Sequence, residues 1–296
     1  MMRNKGAAYC PSVIITDKDL LMHNKTVSFI GAGHMAEAVI AGLVSTGHPA
    51  ERIIATARSS TTLDPLSARY GIHTTGDNCC AIEQADVVVL AVKPQVMKDV
   101  CAQVTDTVAK RKPLIISVAA GLTCDTLSRW LDGYDAIVRA MPNTPSLVGT
   151  GACGLYATEA VSKTQCILAS DLMAAVGITE WVSEERLLST VTAIAGSAPA
   201  YFFYLMEALE KAAVEQGMSL DSARRLIVQT ALGAARMCDA SDDAPEEFKK
   251  RVMSPNGTTE RAIFYFRDHG FERLVDGAAR ACFNRAEELG ESFRGQ

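Results

Sequence analysis

The stretch KTVSFIGAGHMAEAVIAGL, residues 25–43, decides the fold. A short apolar run, Thr26–Ile30, ends on Gly31, and the pattern then switches to that of a helix. Gly31, Gly33 and Ala36 make a G-x-G-x-x-A between strand and helix. Gly31 permits the tight turn, Gly33 leaves room for a pyrophosphate against the backbone, and Ala36 lets the helix pack close to the strand. The helix start faces the phosphates with unpaired N–H groups. The whole loop, Gly31, Ala32, Gly33, His34 and Met35, is therefore a candidate dinucleotide cradle.

The segments that follow support this reading. Arg52–Thr56, Val87–Val92, Leu114–Val118 and Ala136–Ala140 are apolar runs separated by helical stretches. Continuous runs suit strands buried on both faces, and their alternation with helices predicts a parallel sheet with right-handed crossovers. After about residue 185 the texture changes to helices alone. Residues 199–216 put Phe202, Leu205, Met206, Leu209, Ala212 and Ala213 on one stripe, with Gly217 as a C-cap. Residues 221–238 repeat the pattern, and further helices are predicted at 258–268 and 271–290. An internal core and a dimer face account equally well for such stripes. The predicted fold is α/β followed by all-α. The chain divides into a loose extension at 1–24, a Rossmann dinucleotide-binding domain at 25–185 and a helical substrate and dimerisation domain at 186–296.

Composition narrows the class. The 296 residues are 48% hydrophobic and 21% charged, with a net charge of −5. That is globular rather than disordered, and without a basic tract it disfavours nucleic acid as a partner. The longest central apolar run, VVVLAV at 87–92, is too short for a membrane span, and residues 1–24 lack the apolar core of a signal peptide. The nine cysteines contain no C-x-x-C pair, which fits reduced thiols in a cytoplasmic protein. His23, His34, His48, His73 and His269 show no ligand spacing, so no metal is expected.

The end of the second strand distinguishes the two nicotinamide cofactors. NAD sites place an acid there for the ribose 2′-hydroxyl. Here ATARSSTTL, residues 55–63, has none between Glu51 and Asp64. Arg58 with Ser59 and Ser60 suits a 2′-phosphate, because a guanidinium matches phosphate geometry. The expected cofactor is NADPH, with NADH as the alternative donor.

Six ordered segments carry a resemblance that spans about Thr26 to Leu289. They are VLAVKPQ (89–95), ISVAAGLT (116–123), VRAMPNTPSLVGTG (138–151), GSAPAYFF (196–203), QTALGAARM (229–237) and SPNGTTERAI (254–263). The chain resembles pyrroline-5-carboxylate reductases. The resemblance implies hydride transfer from NAD(P)H to the C=N carbon of 1-pyrroline-5-carboxylate, giving L-proline in the last step of its synthesis. It also implies a homo-oligomer built from dimers, with the active site near the subunit interface. It assigns cofactor contacts to Asn78, to Ala91, Val92, Lys93 and Pro94, and to Met141, Pro142 and Asn143 beside the nicotinamide. Thr259 matches the threonine by the ring nitrogen and is the candidate catalytic residue.

The elbow that carries Thr259 fits the chemistry when read by itself. Pro255, Asn256 and Gly257 turn the chain, and the amides of Gly257, Thr258 and Thr259 then face outward at a helix start, where a substrate carboxylate gains from free donors and the dipole. Ser254 adds a hydroxyl. The commoner job for Ser254 or Thr258 is simply to cap the helix. Three residues depart from the family pattern: Asn256 replaces a usual glycine, and Ala195 and Ala198 replace serine and glycine. Two other readings stay open. One is a related NADP-dependent imine or oxo-acid reductase, although the lysine–asparagine pair of the hydroxyacid type is missing, since Lys211 is followed one turn later by Glu215. The other is a dinucleotide-binding protein without turnover.

Overall fold

A computed structural model describes residues 22–294. Most of the expected extension at 1–24 lies outside the described residues. Its last three, Met22–Asn24, form a helical turn with Met22 buried. The described residues divide into two compact units, 22–188 with 290–294, and Ser189–Leu289.

The first unit is built on one eight-stranded sheet in the order β3-β2-β1-β4-β5-β6-β7-β8. Its strands are β1 (Val27–Ile30), β2 (Ile53–Thr56), β3 (His73–Thr75), β4 (Val87–Leu90), β5 (Leu114–Ser117), β6 (Ile137–Met141), β7 (Gly151–Ala157) and β8 (Gly177–Trp181). Strands β1, β2, β4 and β5 are buried at every position. The reason is visible in β4: Val87 and Val89 join the core on one face, with Ile40, Leu43 and Leu172, whereas Val88 and Leu90 join the other, with Met97, Cys101 and Leu127. Covered on both sides, such strands need no polar alternation.

The sheet is parallel from β3 through β6, but β7 runs antiparallel to β6, pairing Val138 with Ala157 and Met141 with Gly154. The strands read from the sequence, β1, β2, β4, β5 and β6, form the expected parallel sheet, and the antiparallel pair is added by β7, which gave no run in the sequence. The link between β6 and β7 holds only a short 3-10 helix, Thr144–Val148, and a parallel return needs a crossover of a dozen residues or more. Strand β8 then pairs parallel with β7. The residues from Gly290 onward belong to this unit: Phe293 packs on the second core cluster, and Arg129 Nη1 donates to the carbonyl of Arg294 at 2.9 Å.

The second unit is helical. It contains the helices Ala198–Glu215, Leu220–Asp239, Pro245–Val252 and Thr258–Asp268, and most of Phe271–Arg294. The first two pack together, with Arg224 bridging both carboxylate oxygens of Glu210 at 2.9 and 3.2 Å. A π-helical turn, Thr192–Gly196, precedes them, and Cys282 Sγ lies 3.2 Å from Ser197 Oγ beside it. Only Ala193, Ala198 and Ala223 are buried within this unit. No helix among the described residues is long and apolar enough to cross a membrane.

Candidate active site

The cradle in the first unit begins where β1 ends. Gly31 has φ +100°, and a Cβ there would lie 2.7 Å from Val92 Cγ1 and 3.0 Å from the Ala91 backbone. Glycine is therefore required twice, by conformation and by space. Gly33 differs. It is the N-cap of the helix His34–Ser45 with an ordinary φ of −81°, and a Cβ there would meet nothing within 4 Å. No side chain caps that helix, and its first amides have no acceptor within it. Open space in front of uncapped amides fits the pyrophosphate of a dinucleotide. Ala36 is buried where this helix meets the sheet, in the same core as Phe29 and Val89.

The other expected cofactor residues flank the carboxyl ends of the central strands, where open α/β sheets take their ligands. Ala91 N–H donates to the Ile30 carbonyl at 2.9 Å, which holds Ala91 and Val92 alongside the glycine turn. Lys93 is exposed at the N-cap of Pro94–Arg111, whose first residue is Pro94. Proline fits there because the missing N–H would have no acceptor. Arg58 is exposed just past β2, and Ser59 caps the helix Ser60–Tyr70 by accepting from Thr61 N–H at 3.2 Å. Met141 closes β6, Pro142 and Asn143 are buried, and Asn143 Oδ1 accepts from Ala152 N–H at 2.9 Å, tying the turn to β7.

Sequence reading missed three side chains in this unit. Thr56, at the end of β2, bonds both Gly31 and Asn78, and Gln103 bonds Asn78 from the helix Pro94–Arg111. A threonine closing a strand and a glutamine on an amphipathic helix carry no local signal. Arg139 is the third. It pairs with Glu185 at 2.9 Å in partly buried surroundings, and the same carboxylate accepts from Cys124 N–H at 2.6 Å. Burial, then the neighbouring Glu185, pushes the Cys124 thiol up, so it is protonated and unreactive.

The elbow lies in the second unit. Asn256 adopts φ +58°, and its N–H donates to Glu260 Oε2 at 2.8 Å. One part of the sequence reading is corrected. The Gly257 N–H does not face outward but donates to the Ser254 carbonyl at 2.9 Å, because that bond closes the turn. The helix Thr258–Asp268 has no side-chain cap. Thr258 and Thr259 thus open the helix with the amides that have no intrahelical acceptor.

A mostly parallel sheet with a glycine cradle at its switch point, joined to a helical unit, is the architecture of a nicotinamide-dependent oxidoreductase. The family model described as pyrroline-5-carboxylate reductase dimerisation matches residues 185–289, and that of NADP oxidoreductase coenzyme F420-dependent matches residues 26–121. The pyrroline-5-carboxylate reductase of Pseudomonas aeruginosa is 46% identical over 272 residues, covering 92% of this chain and 99% of its own. The chain belongs to the pyrroline-5-carboxylate reductase family. Among solved structures, a pyrroline-5-carboxylate reductase from Coxiella burnetii superposes with a TM-score of 0.86 at 44% identity, over 90% of this chain and 98% of that one. A Plasmodium falciparum pyrroline carboxylate reductase with NADP bound gives 0.79 at 27% identity, over 91% and 99%.

Proposed function

We propose that the protein is a pyrroline-5-carboxylate reductase that uses NADPH to reduce the C=N bond of 1-pyrroline-5-carboxylate to L-proline. The observation that carries this is the cradle at Gly31 and Gly33, shaped for a dinucleotide, in a chain of this family. The bound cofactor supplies the hydride. The chain's own residues bind, orient and exclude water. Gly31, Ala32, Gly33, His34 and Met35 receive the pyrophosphate, Arg58 and Ser59 the 2′-phosphate, and Asn78, Ala91, Val92, Lys93 and Pro94 the adjoining cofactor edge. Met141, Pro142 and Asn143 support the nicotinamide.

In the second unit, the amides of Thr258 and Thr259 hold the substrate carboxylate, with Ser254 adding a hydroxyl and Asn256 and Gly257 shaping the turn. The Thr259 hydroxyl lies by the ring nitrogen and orients it. No strong acid or nucleophile is needed, because a protonated cyclic imine is already electrophilic. Positioning supplies most of the acceleration, an effect worth up to about 7–11 kcal/mol in the best cases. The working unit is a homodimer, in keeping with the apolar residues that the helical unit leaves exposed. The cytoplasm suits the described cysteines, all of which are free.

NADPH oxidation with pyrroline-5-carboxylate, beside a panel of oxo acids, tests the reading. We expect turnover with the pyrroline alone, reduced about 10- to 100-fold in Thr259→Ala. Equal turnover of the mutant removes Thr259 from its role, and reduction of an oxo acid instead replaces the substrate.

A further inference from the structure

A chain of hydrogen bonds runs beside the glycine turn. Gly31 N–H donates to Thr56 Oγ1 at 3.3 Å, and the Thr56 hydroxyl lies 2.7 Å from Asn78 Oδ1. Asn78 Nδ2 donates to Gln103 Oε1 at 3.1 Å. Thr56 is buried, so water does not compete for its hydroxyl.

The polarity of this chain follows from its first member. A backbone amide can only donate, so Thr56 must use a lone pair toward Gly31. Its single hydrogen is left for Asn78. That hydrogen selects the carbonyl end of the Asn78 amide, a choice that is otherwise ambiguous for asparagine. The NH₂ end is then turned away from Thr56, with one hydrogen taken by Gln103 and one left over. Asn78 stands at the start of a helix capped by Asp77, next to the end of β2, where a dinucleotide places its adenosine ribose.

We infer that Thr56 is a positioning residue for the cofactor: its one hydroxyl fixes the Gly31 turn and makes Asn78 a hydrogen-bond donor toward an acceptor oxygen on the adenosine half of the dinucleotide. This rests on the proposed NADPH site. Thr56 touches no ligand itself, and it acts through Gly31 and Asn78.

Fluorescence titration of NADPH onto the full-length protein tests the inference without turnover. Thr56→Val keeps the shape and removes the hydroxyl. We expect its Kd to rise about tenfold at unchanged stoichiometry, the worth of one or two hydrogen bonds. Thr56→Ser should restore affinity to within about threefold, because it returns the hydroxyl without the methyl. In steady state the loss should fall on the KM for NADPH and not on the KM for the pyrroline, whereas a purely structural defect would lower the active fraction instead. Gln103→Met, at an exposed helical position, tests the far end of the chain if Thr56→Val fails to fold. Its Kd should rise about threefold. Wild-type affinity in Thr56→Val, or a Thr56→Ser as weak as Thr56→Val, overturns the inference, and so does wild-type affinity in Gln103→Met where Thr56→Val does not fold. A wild-type protein that binds no NADPH overturns the underlying reading as well.

Discussion

Gly31 and Gly33 are two residues apart and answer to different constraints. At Gly31 an alanine would have to hold φ +100° with its methyl 2.7 Å from Val92 Cγ1. Strain at such a backbone position costs about 1–3 kcal/mol before any clash is counted. At Gly33 the methyl meets nothing. Gly31→Ala should therefore lose about 2 kcal/mol or more of stability and also bind NADPH poorly. Gly33→Ala should unfold within about 0.5 kcal/mol of wild type yet bind NADPH about tenfold more weakly. Chemical denaturation alongside NADPH titration separates the two, and an affinity unaffected by Gly33→Ala would remove the pyrophosphate from that space. Gly31 was legible in the sequence because the turn leaves its demand in the residue type, and Gly33 because a phosphate seated against the backbone leaves no room for a side chain. Asn256 was legible as Gly31 was, by backbone conformation: it occupies φ +58°, the left-handed region that asparagine tolerates better than most side chains. Thr56 and Gln103 were not legible. Their task depends on partners 25 positions away in sequence, and nothing local records that.

Strands were recovered according to how they are covered. The runs at β1, β2, β4, β5 and β6 stand out because both sheet faces are apolar there. HTT in β3, GACGLYA in β7 and GITEW in β8 lie toward the sheet edges, carry glycine or polar residues, and gave no run to detect. The joint after β2 carries a prediction of its own. Arg58 is exposed there, and the following helix is capped by Ser59, so the guanidinium can be removed without loosening the helix start. Arg58→Ala should raise the Kd for NADPH about 10- to 100-fold, as expected for losing a charged hydrogen bond, and leave that for NADH unchanged. Equal changes for both cofactors, by titration, would place the 2′-phosphate elsewhere. The loop after the helix His34–Ser45 carries another. Buried His48 has its pKa lowered to about 4 by desolvation, with His23 and Arg52 adding positive charge nearby. The unfolded chain takes up that proton near the ordinary value of 6.5 and the folded chain refuses it until about 4. Stability thus falls as pH drops through this window. From pH 7.5 to 5 the wild type should lose about 2 kcal/mol more than His48→Gln in denaturant titrations, and parallel losses would rule His48 out as the sensor.

The whole molecule depends on what covers the helical unit. The stripe of Phe202, Leu205 and Leu209 reads the same in sequence whether it faces its own core or a second chain, because periodicity specifies a buried face and not its partner. Within one chain that stripe is open: Phe202 is 61% exposed, Leu205 42% and Leu209 45%, and on the neighbouring helix Leu226 is 58% exposed. Burying such a side chain contributes about 1.5–3 kcal/mol, and a helical unit whose fully buried side chains are three alanines has little of that contribution. Isolated helices of this length are marginal without a packed apolar face. A second copy of the chain is the cover that the family's dimerisation region implies. Folding of this unit and association are then one equilibrium, so the melting temperature should rise with protein concentration. Phe202→Glu or Leu205→Glu places a charge on the covered stripe, where an unpaired buried carboxylate costs several kcal/mol. Either substitution should shift the protein toward monomer in analytical ultracentrifugation at micromolar concentration and lower its melting temperature. A wild type that sediments as a monomer at tens of micromolar, with a cooperative melt independent of concentration, would mean that the helices are stable with this face in water and that no second copy is needed to cover it.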